Sequence, residues 1–159
     1  MEPKRPSNSH KMNIQKISLV PAGIHADERG SLTFFNTFDM SSVKRCYIIE
    51  HPDTGIIRAW QGHRWEQKWF HVIAGAFKLA VVKPDNWQKP SAALKPEVYE
   101  LGTGQPAILY VPGGYATGFR ALQNHARMIV FSDATVAESQ KDDYRFDKNL
   151  WSEIWITNR

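Results

Sequence analysis

Residues 55–75 read GIIRAWQGHRWEQKWFHVIAG, and the reading of this stretch decides the fold. Two β-rich runs, 55–61 and 67–73, are bounded by Gly55 and by Ala74-Gly75. Side chains on a strand alternate faces with period two, so Gln61 and His63 share one face. Glycine supplies the positive φ that tight hairpins require, which makes Ala74-Gly75 an expected hairpin turn. The next run, 76–82, sets Phe77, Leu79 and Val81 against Lys78 and Ala80. Outward from here, short runs recur at 14–20, 30–37, 44–50, 97–101, 107–111, 118–122 and 126–131, separated by Gly, Pro, Asn and Asp. Regular short strands with this punctuation predict an all-β sandwich or barrel. Pro112-Gly113-Gly114 marks a second sharp bend. Residues 83–96 hold Pro84, Pro90, Pro96 and Trp87 and break the strand rhythm, as a lid or a plain surface excursion does. Residues 138–151 are charged, with spaced aromatics Tyr144, Phe146 and Trp151, and read as a short C-terminal helix or a packed arm.

The chain has 159 residues, 42% of them apolar, enough for one domain with a real core. Residues 1–13 read as a disordered tail, and 14–159 as that single domain. Six Trp, eight Phe and five Tyr provide large side chains to fill a barrel. No run has the length of a membrane span, and the opening MEPKRPSNSHKM lacks a signal peptide's apolar stretch. One cysteine, Cys46, leaves no internal disulfide and fits a reducing, cytoplasmic setting; a small buried apolar position is expected for it. The net charge of +4 is scattered over residues such as Lys44, Arg45, Arg58, Arg64 and Lys68, with acids such as Glu66 among them. Nucleic-acid binders instead gather a basic stripe interleaved with stacking aromatics. The charge pattern therefore favours a small anionic ligand over nucleic acid.

Residues 55–75 resemble the first motif of a cupin barrel, G-x5-H-x-H-x3,4-E-x6-G, with most of its metal ligands exchanged. Gln61 and His63 fill the paired histidine positions, Lys68 stands in place of the carboxylate, and Gly75 closes the motif. The second motif, P-x-G-x2-H, is similar to residues 112–117, with Thr117 at the fourth ligand position. A divalent site needs several converging N, O or S donors, and a protonated lysine has no lone pair to give. These positions predict a barrel without metal or other cofactor.

The chain further resembles the dTDP-4-dehydrorhamnose 3,5-epimerases and their WxcM-like relatives, the sugar-nucleotide 3,4-ketoisomerases. Asp27-Glu28-Arg29-Gly30 is similar to their D-x-R-G segment, and residues 43–48, VKRCYI, to a ketoisomerase strand. Residues 58–63, RAWQGH, are similar to R-G-(L/F)-H-x-(Q/H), and residues 111–119, VPGGYATGF, to V-P-x-G-x-A-H-G-F. The likeness runs from about Ile14 to Trp151. It implies a cupin fold, a homodimer, and a nucleotide-linked 4-keto-6-deoxysugar as substrate, made for a surface polysaccharide. It also implies that Arg29 and Arg58 contact the nucleotide or sugar, a role suited to the planar guanidinium fork.

In such chemistry a keto group at C4 acidifies the hydrogen on C3, a base removes it, and positive charge steadies the enolate oxygen. Histidine titrates in the useful range; a glutamine amide does not. The resemblance makes His63 the acid/base, Lys68 and Arg58 the electrostatic clamp, and Tyr115 a proton donor at the pocket mouth. Arg29, Gln61 and Thr117 become substrate contacts. Nearby Lys68 and Arg58 should hold the His63 imidazole neutral. His25, His51, His71 and His125 read as satisfied core or surface residues. The family's histidines are replaced by Gln61 and Thr117, and Ala134-Thr135 follow Asp133 where the epimerases have tyrosine. The competing expectation is accordingly a non-catalytic cupin that binds a nucleotide-sugar or a sugar. A metal-dependent cupin is disfavoured, since His63 alone is a conventional ligand among the four positions.

Overall fold

The structure, a computed structural model, describes residues 15–156, so the expected tail at 1–13 lies outside the described residues. Among them run twelve strands: β1 (Ser18–Pro21), β2 (Gly23–Asp27), β3 (Gly30–Phe34), β4 (Arg45–His51), β5 (Ile57–His63), β6 (Lys68–Ala74), β7 (Ala76–Val82), β8 (Glu97–Gly102), β9 (Ala107–Val111), β10 (Tyr115–Ala121), β11 (Ala126–Ser132) and β12 (Tyr144–Arg145). One short helix, α1 (Val136–Gln140), and a 3-10 turn (Ser152–Trp155) complete the set. Two five-stranded antiparallel sheets form, in the orders β1-β9-β6-β11-β4 and β12-β5-β10-β7-β8, with β2-β3 as a separate hairpin. This is the all-β architecture that the short punctuated runs predict, and the cupin fold that the motif resemblance implies.

Strand alternation builds two cores. Phe77, Leu79 and Val81 of β7 point between the sheets and join Phe70, Leu109, Met128 and Val130 in the main core. The opposite face of β7, with Ala80 and Val82, packs with Trp60, Ala116, Trp151 and Trp155 in a second cluster. The C-terminal segment thus covers the outside of the second sheet, and Trp60 meets Trp151 edge-on at 5.1 Å. The segment combines both sequence alternatives, a short helix and a packed arm.

Two expectations change. Ala74-Gly75 is not a hairpin turn but a corner between sheets, because β6 already pairs with β9 and β11 and leaves no edge for β7. Gly75 makes the corner at φ 67°. Cys46 is exposed, since it lies on the outward face of β4 with Ile48 and Glu50, alternating with inward Tyr47, Ile49 and His51. The bend before β10 does require glycine. A Cβ on Gly113 would meet the backbone of Trp65 at 2.6–2.8 Å, closer than any side chain tolerates. That approach brings the β9–β10 bend against the β5–β6 connection. Strand β2 escaped the sequence reading because GIHAD carries no run of alternating apolar residues.

Candidate active site

Between the sheets lies a cavity of about 330 Å³, within the usual range for small-ligand pockets. Strand β4 contributes Tyr47 and Ile49, β5 Arg58 and Gln61, β6 Lys68 and Phe70, and β10 Thr117 and Phe119. Arg145 and Phe146 close the side where β12 runs beside β5. Period-two alternation explains most of this lining: Lys68 and Phe70 are two apart, as are Tyr47 and Ile49. A second hollow of about 310 Å³ shares Tyr47, Gln61, Lys68 and Arg145 and continues outward to Ser139 and Gln140 of α1.

Lys68 is 5% exposed. Its ammonium donates to Gln61 Oε1 at 3.2 Å and lies 5.8 Å from the Tyr47 ring centre. Gln61 in turn donates through Nε2 to Asp143 Oδ1 at 3.1 Å, and Asp143 holds Arg145 at 2.7 Å. No carboxylate of the described residues pairs with the lysine. Burial, with Arg45 and Arg145 adding to it and Glu66 opposing, holds Lys68 down to about 8. Burial pushes the Tyr47 hydroxyl up to about 12, so it keeps its proton at neutral pH despite Arg45 and Arg145 nearby.

Beneath this floor sits an acid cluster. Glu66, 2% exposed, receives Ser132 Oγ at 2.5 Å, Ser139 Oγ at 2.8 Å and Arg45 Nη2 at 3.0 Å, and lies 3.1 Å from His63 Nδ1. Burial alone would raise its carboxyl, but His63, Lys68 and the two hydroxyls outweigh that and hold it below the ordinary value. The β5–β6 connection is pinned by Asp142, which accepts the backbone N–H groups of Arg64, Trp65 and Glu66 at 2.7, 3.0 and 2.9 Å. Asp133 likewise accepts the Gln67 backbone N–H at 2.8 Å. These carboxylates fix where β6 starts, and so where Lys68 points.

The predicted residues divide. Arg58, Gln61, Lys68 and Thr117 line the cavity together. His63 does not line it. Its Nδ1–H donates to the Asp142 carbonyl at 2.7 Å, and Nε2 is sealed without a hydrogen-bond partner. Burial first, then the Lys68 charge, keep this imidazole below its ordinary value, so it is neutral as expected, though Arg58 takes no part. Tyr115 pairs in register with His63 and packs against the main core outside the cavity lining. Arg29 stands on the β2–β3 turn, its side chain 81% exposed and bound to Asp27 at 2.6 Å, away from the cavity.

Tyr47, Arg145, Glu66 and Asp142 were not singled out from sequence. Tyr47 had a legible signal, alternating with Arg45 and Ile49 along one strand. Glu66, read only as one of the acids among the scattered basic residues, is buried, with Arg45, Ser132 and Ser139 around its carboxylate. Arg145 and Asp142 reach the site from far along the chain and gave no local signal. His51 departs from the satisfied-core reading: it is 1% exposed, lies between Phe77 and Phe119 at 5.4 and 5.6 Å, and neither ring nitrogen has a hydrogen-bond partner among the described residues. The four ligand positions present Gln61, His63, Lys68 and Thr117, and the described residues contain no group of three His, Cys, Asp or Glu set to hold a metal. No described helix is long and apolar enough to cross a membrane.

No protein-family model and no characterised sequence matches the chain. Solved structures do. A double mutant of the QdtA 3,4-ketoisomerase from Thermoanaerobacterium thermosaccharolyticum, in complex with TDP, is 21% identical with a TM-score of 0.63, over 88% of this chain and 91% of that one. The rmlC epimerase of Mycobacterium tuberculosis is 18% identical with a TM-score of 0.68, over 89% and 75%. A dTDP-4-dehydrorhamnose 3,5-epimerase of Bacillus anthracis, with TDP and PPi bound, is 20% identical with a TM-score of 0.67, over 88% and 85%. At these identities the likeness establishes a common fold.

Proposed function

We propose that this chain is an epimerase or isomerase of a nucleotide-linked 4-keto-6-deoxysugar, working without a metal, as a cytoplasmic homodimer, in the making of a surface polysaccharide. The observation that carries the reading is the cavity itself, where Arg58, Lys68 and Arg145 bring positive charge beside Tyr47, Gln61 and Thr117. The same fold serves enzymes that bind TDP or a TDP-sugar. Arg58 has no ion pair or hydrogen bond among the described residues and is available to an anion. Arg145 offers a second guanidinium at the junction of the two hollows.

In this reading the sugar sits by Lys68 and the diphosphate meets the arginines. Positive charge at Lys68 stabilises the oxygen as C3 loses its proton, and Tyr47, which faces the same space, carries the proton. His63 is sealed beneath the floor and acts through Glu66 and Lys68, as a positioning residue. The test has two parts. Saturating dTDP should stabilise the protein by about 2.7 kcal/mol at a hundredfold excess over Kd. A 4-keto sugar nucleotide incubated with the protein in D2O should gain deuterium at C3. Failure of dTDP to shift the melting temperature removes the substrate class.

One observation favours a second reading, in which the cavity binds a nucleotide-sugar without turnover. Gln61 and Thr117 cannot titrate near neutrality, and His63 Nε2 has no access to the cavity. Stabilisation by dTDP with no deuterium exchange would select it.

A further inference from the structure

We propose that Lys68 is a nucleophile that condenses with the ketone of the sugar, so that the reaction passes through an iminium ion on the protein. This rests on the keto-sugar reading above and deepens it. The cavity gives the amine room for a ring-sized carbonyl compound, and Phe70, Ile49 and Phe119 add apolar wall to a lining that is otherwise mostly polar. An ammonium has three hydrogens to donate. Among the described residues only Gln61 Oε1 accepts one and no carboxylate pairs directly with the group; Glu66 nearby favours the charge, but burial with the like charges of Arg45 and Arg145 outweighs it. That is a poor setting for a fixed cation and a good one for a free amine. At about 8, roughly a tenth of Lys68 is unprotonated at pH 7.

The chemistry also explains how the site manages without titrating side chains at 61 and 117. An α-hydrogen next to a neutral ketone needs a good base, whereas one next to an iminium is far more acidic. The step balances with groups that line the cavity. The Lys68 Nζ lone pair adds to the carbonyl carbon, the C=O π pair moves to oxygen, and a proton passes from nitrogen to that oxygen. Tyr47 gives its proton to the resulting hydroxyl, which leaves as water while the C=N⁺ bond forms. The Tyr47 phenolate, near the charges of Arg45, Arg58 and Arg145, then takes the α-hydrogen, and the C–H electrons form the enamine. Return of the proton to carbon regenerates the iminium, and one water hydrolyses it to ketone and free lysine. No oxidant or reductant is consumed.

The experiment incubates the full chain at pH 7 with a 4-keto-6-deoxy sugar nucleotide and sodium cyanoborohydride, which reduces iminium ions in preference to ketones. Intact mass and peptide mapping locate the adduct. In parallel, pyridoxal 5′-phosphate with borohydride probes the amine with a different phosphate-bearing carbonyl. The expected result is one adduct per chain, on Lys68, blocked by dTDP and absent in Lys68→Met. Lys68→Arg keeps the charge but cannot condense, so it should bind dTDP yet lose at least about 10²-fold of the C3 exchange rate. Circular dichroism checks that both variants fold. Stabilisation by dTDP with no Lys68 adduct from either carbonyl, or wild-type exchange in Lys68→Arg, overturns the condensation and leaves the substrate reading standing. Conversely, a pyridoxal phosphate adduct on Lys68 without any dTDP effect supports the nucleophile and removes the nucleotide-sugar.

Discussion

Replacing Lys68 by methionine should make the free protein more stable while removing the amine at the centre of its pocket. The buried amine is held at about 8 against an ordinary 10.5. At 1.36 kcal/mol for each tenfold change, that gap corresponds to roughly 3 kcal/mol of native-state cost at neutral pH. Methionine has a similar length and no charge to desolvate. It leaves Gln61 Oε1 without its donor, which returns about 1 kcal/mol. The net gain at pH 7 is about 2 kcal/mol, or about 4–8 °C in melting temperature for a chain of this size. The pH dependence fixes the cause. The folded-state value lies below the unfolded one, so between about 8 and 10.5 the unfolded chain binds more protons, and wild-type stability rises with pH across that window. The advantage of the variant should therefore be full below pH 8, shrink as pH rises, and turn by pH 10.5 into a deficit of up to about 1 kcal/mol, the cost of the lost Gln61 contact. Urea unfolding of both proteins at pH 7, 9 and 10.5, with unchanged m-values, measures it. A Lys68→Met protein less stable than wild type at pH 7, or a difference that ignores pH, would refute the reasoning and place the amine in water.

His51→Leu removes two unpartnered ring nitrogens from the core and should stabilise the protein by about 1–2 kcal/mol at pH 7. Burial lowers the histidine in the folded state, so wild-type stability falls further as pH drops below 6.5, a loss the leucine variant should not share in calorimetric scans. Glu66→Gln takes the charge from a carboxylate bound by Arg45, Ser132 and Ser139, and denaturant titration should show a loss of about 3–5 kcal/mol. The wild-type contribution should also fade as pH falls below 4.5, because the folded carboxyl lies under its ordinary value; an acid limb of equal slope in the Gln variant contradicts this. Tyr47→Phe should slow deuterium entry at C3 by about 10²–10⁴-fold while dTDP affinity, read from thermal shifts, stays within about threefold. Unchanged exchange removes Tyr47 from the proton path.

The amino-acid order alone determined the strand rhythm, the glycine bends at Gly75 and Gly113, and the exchange of the usual ligand positions for Gln61, Lys68 and Thr117. These are local properties: alternation and backbone freedom are set by neighbours in the chain, and the exchanged residues are read directly from their places in the two motifs. Tertiary structure alone decided what faces the cavity. His63 has the right parity on β5, yet Asp142 and Glu66 draw its ring beneath the floor, and both interactions depend on how the β5–β6 connection folds against the C-terminal segment. Tyr47 and Arg145 enter through pairings of β4 with β11 and β12 with β5. The lowered lysine likewise comes from burial by residues distant in sequence. Faces are written locally, whereas enclosure and charge environment belong to long-range contacts that only the closed barrel makes.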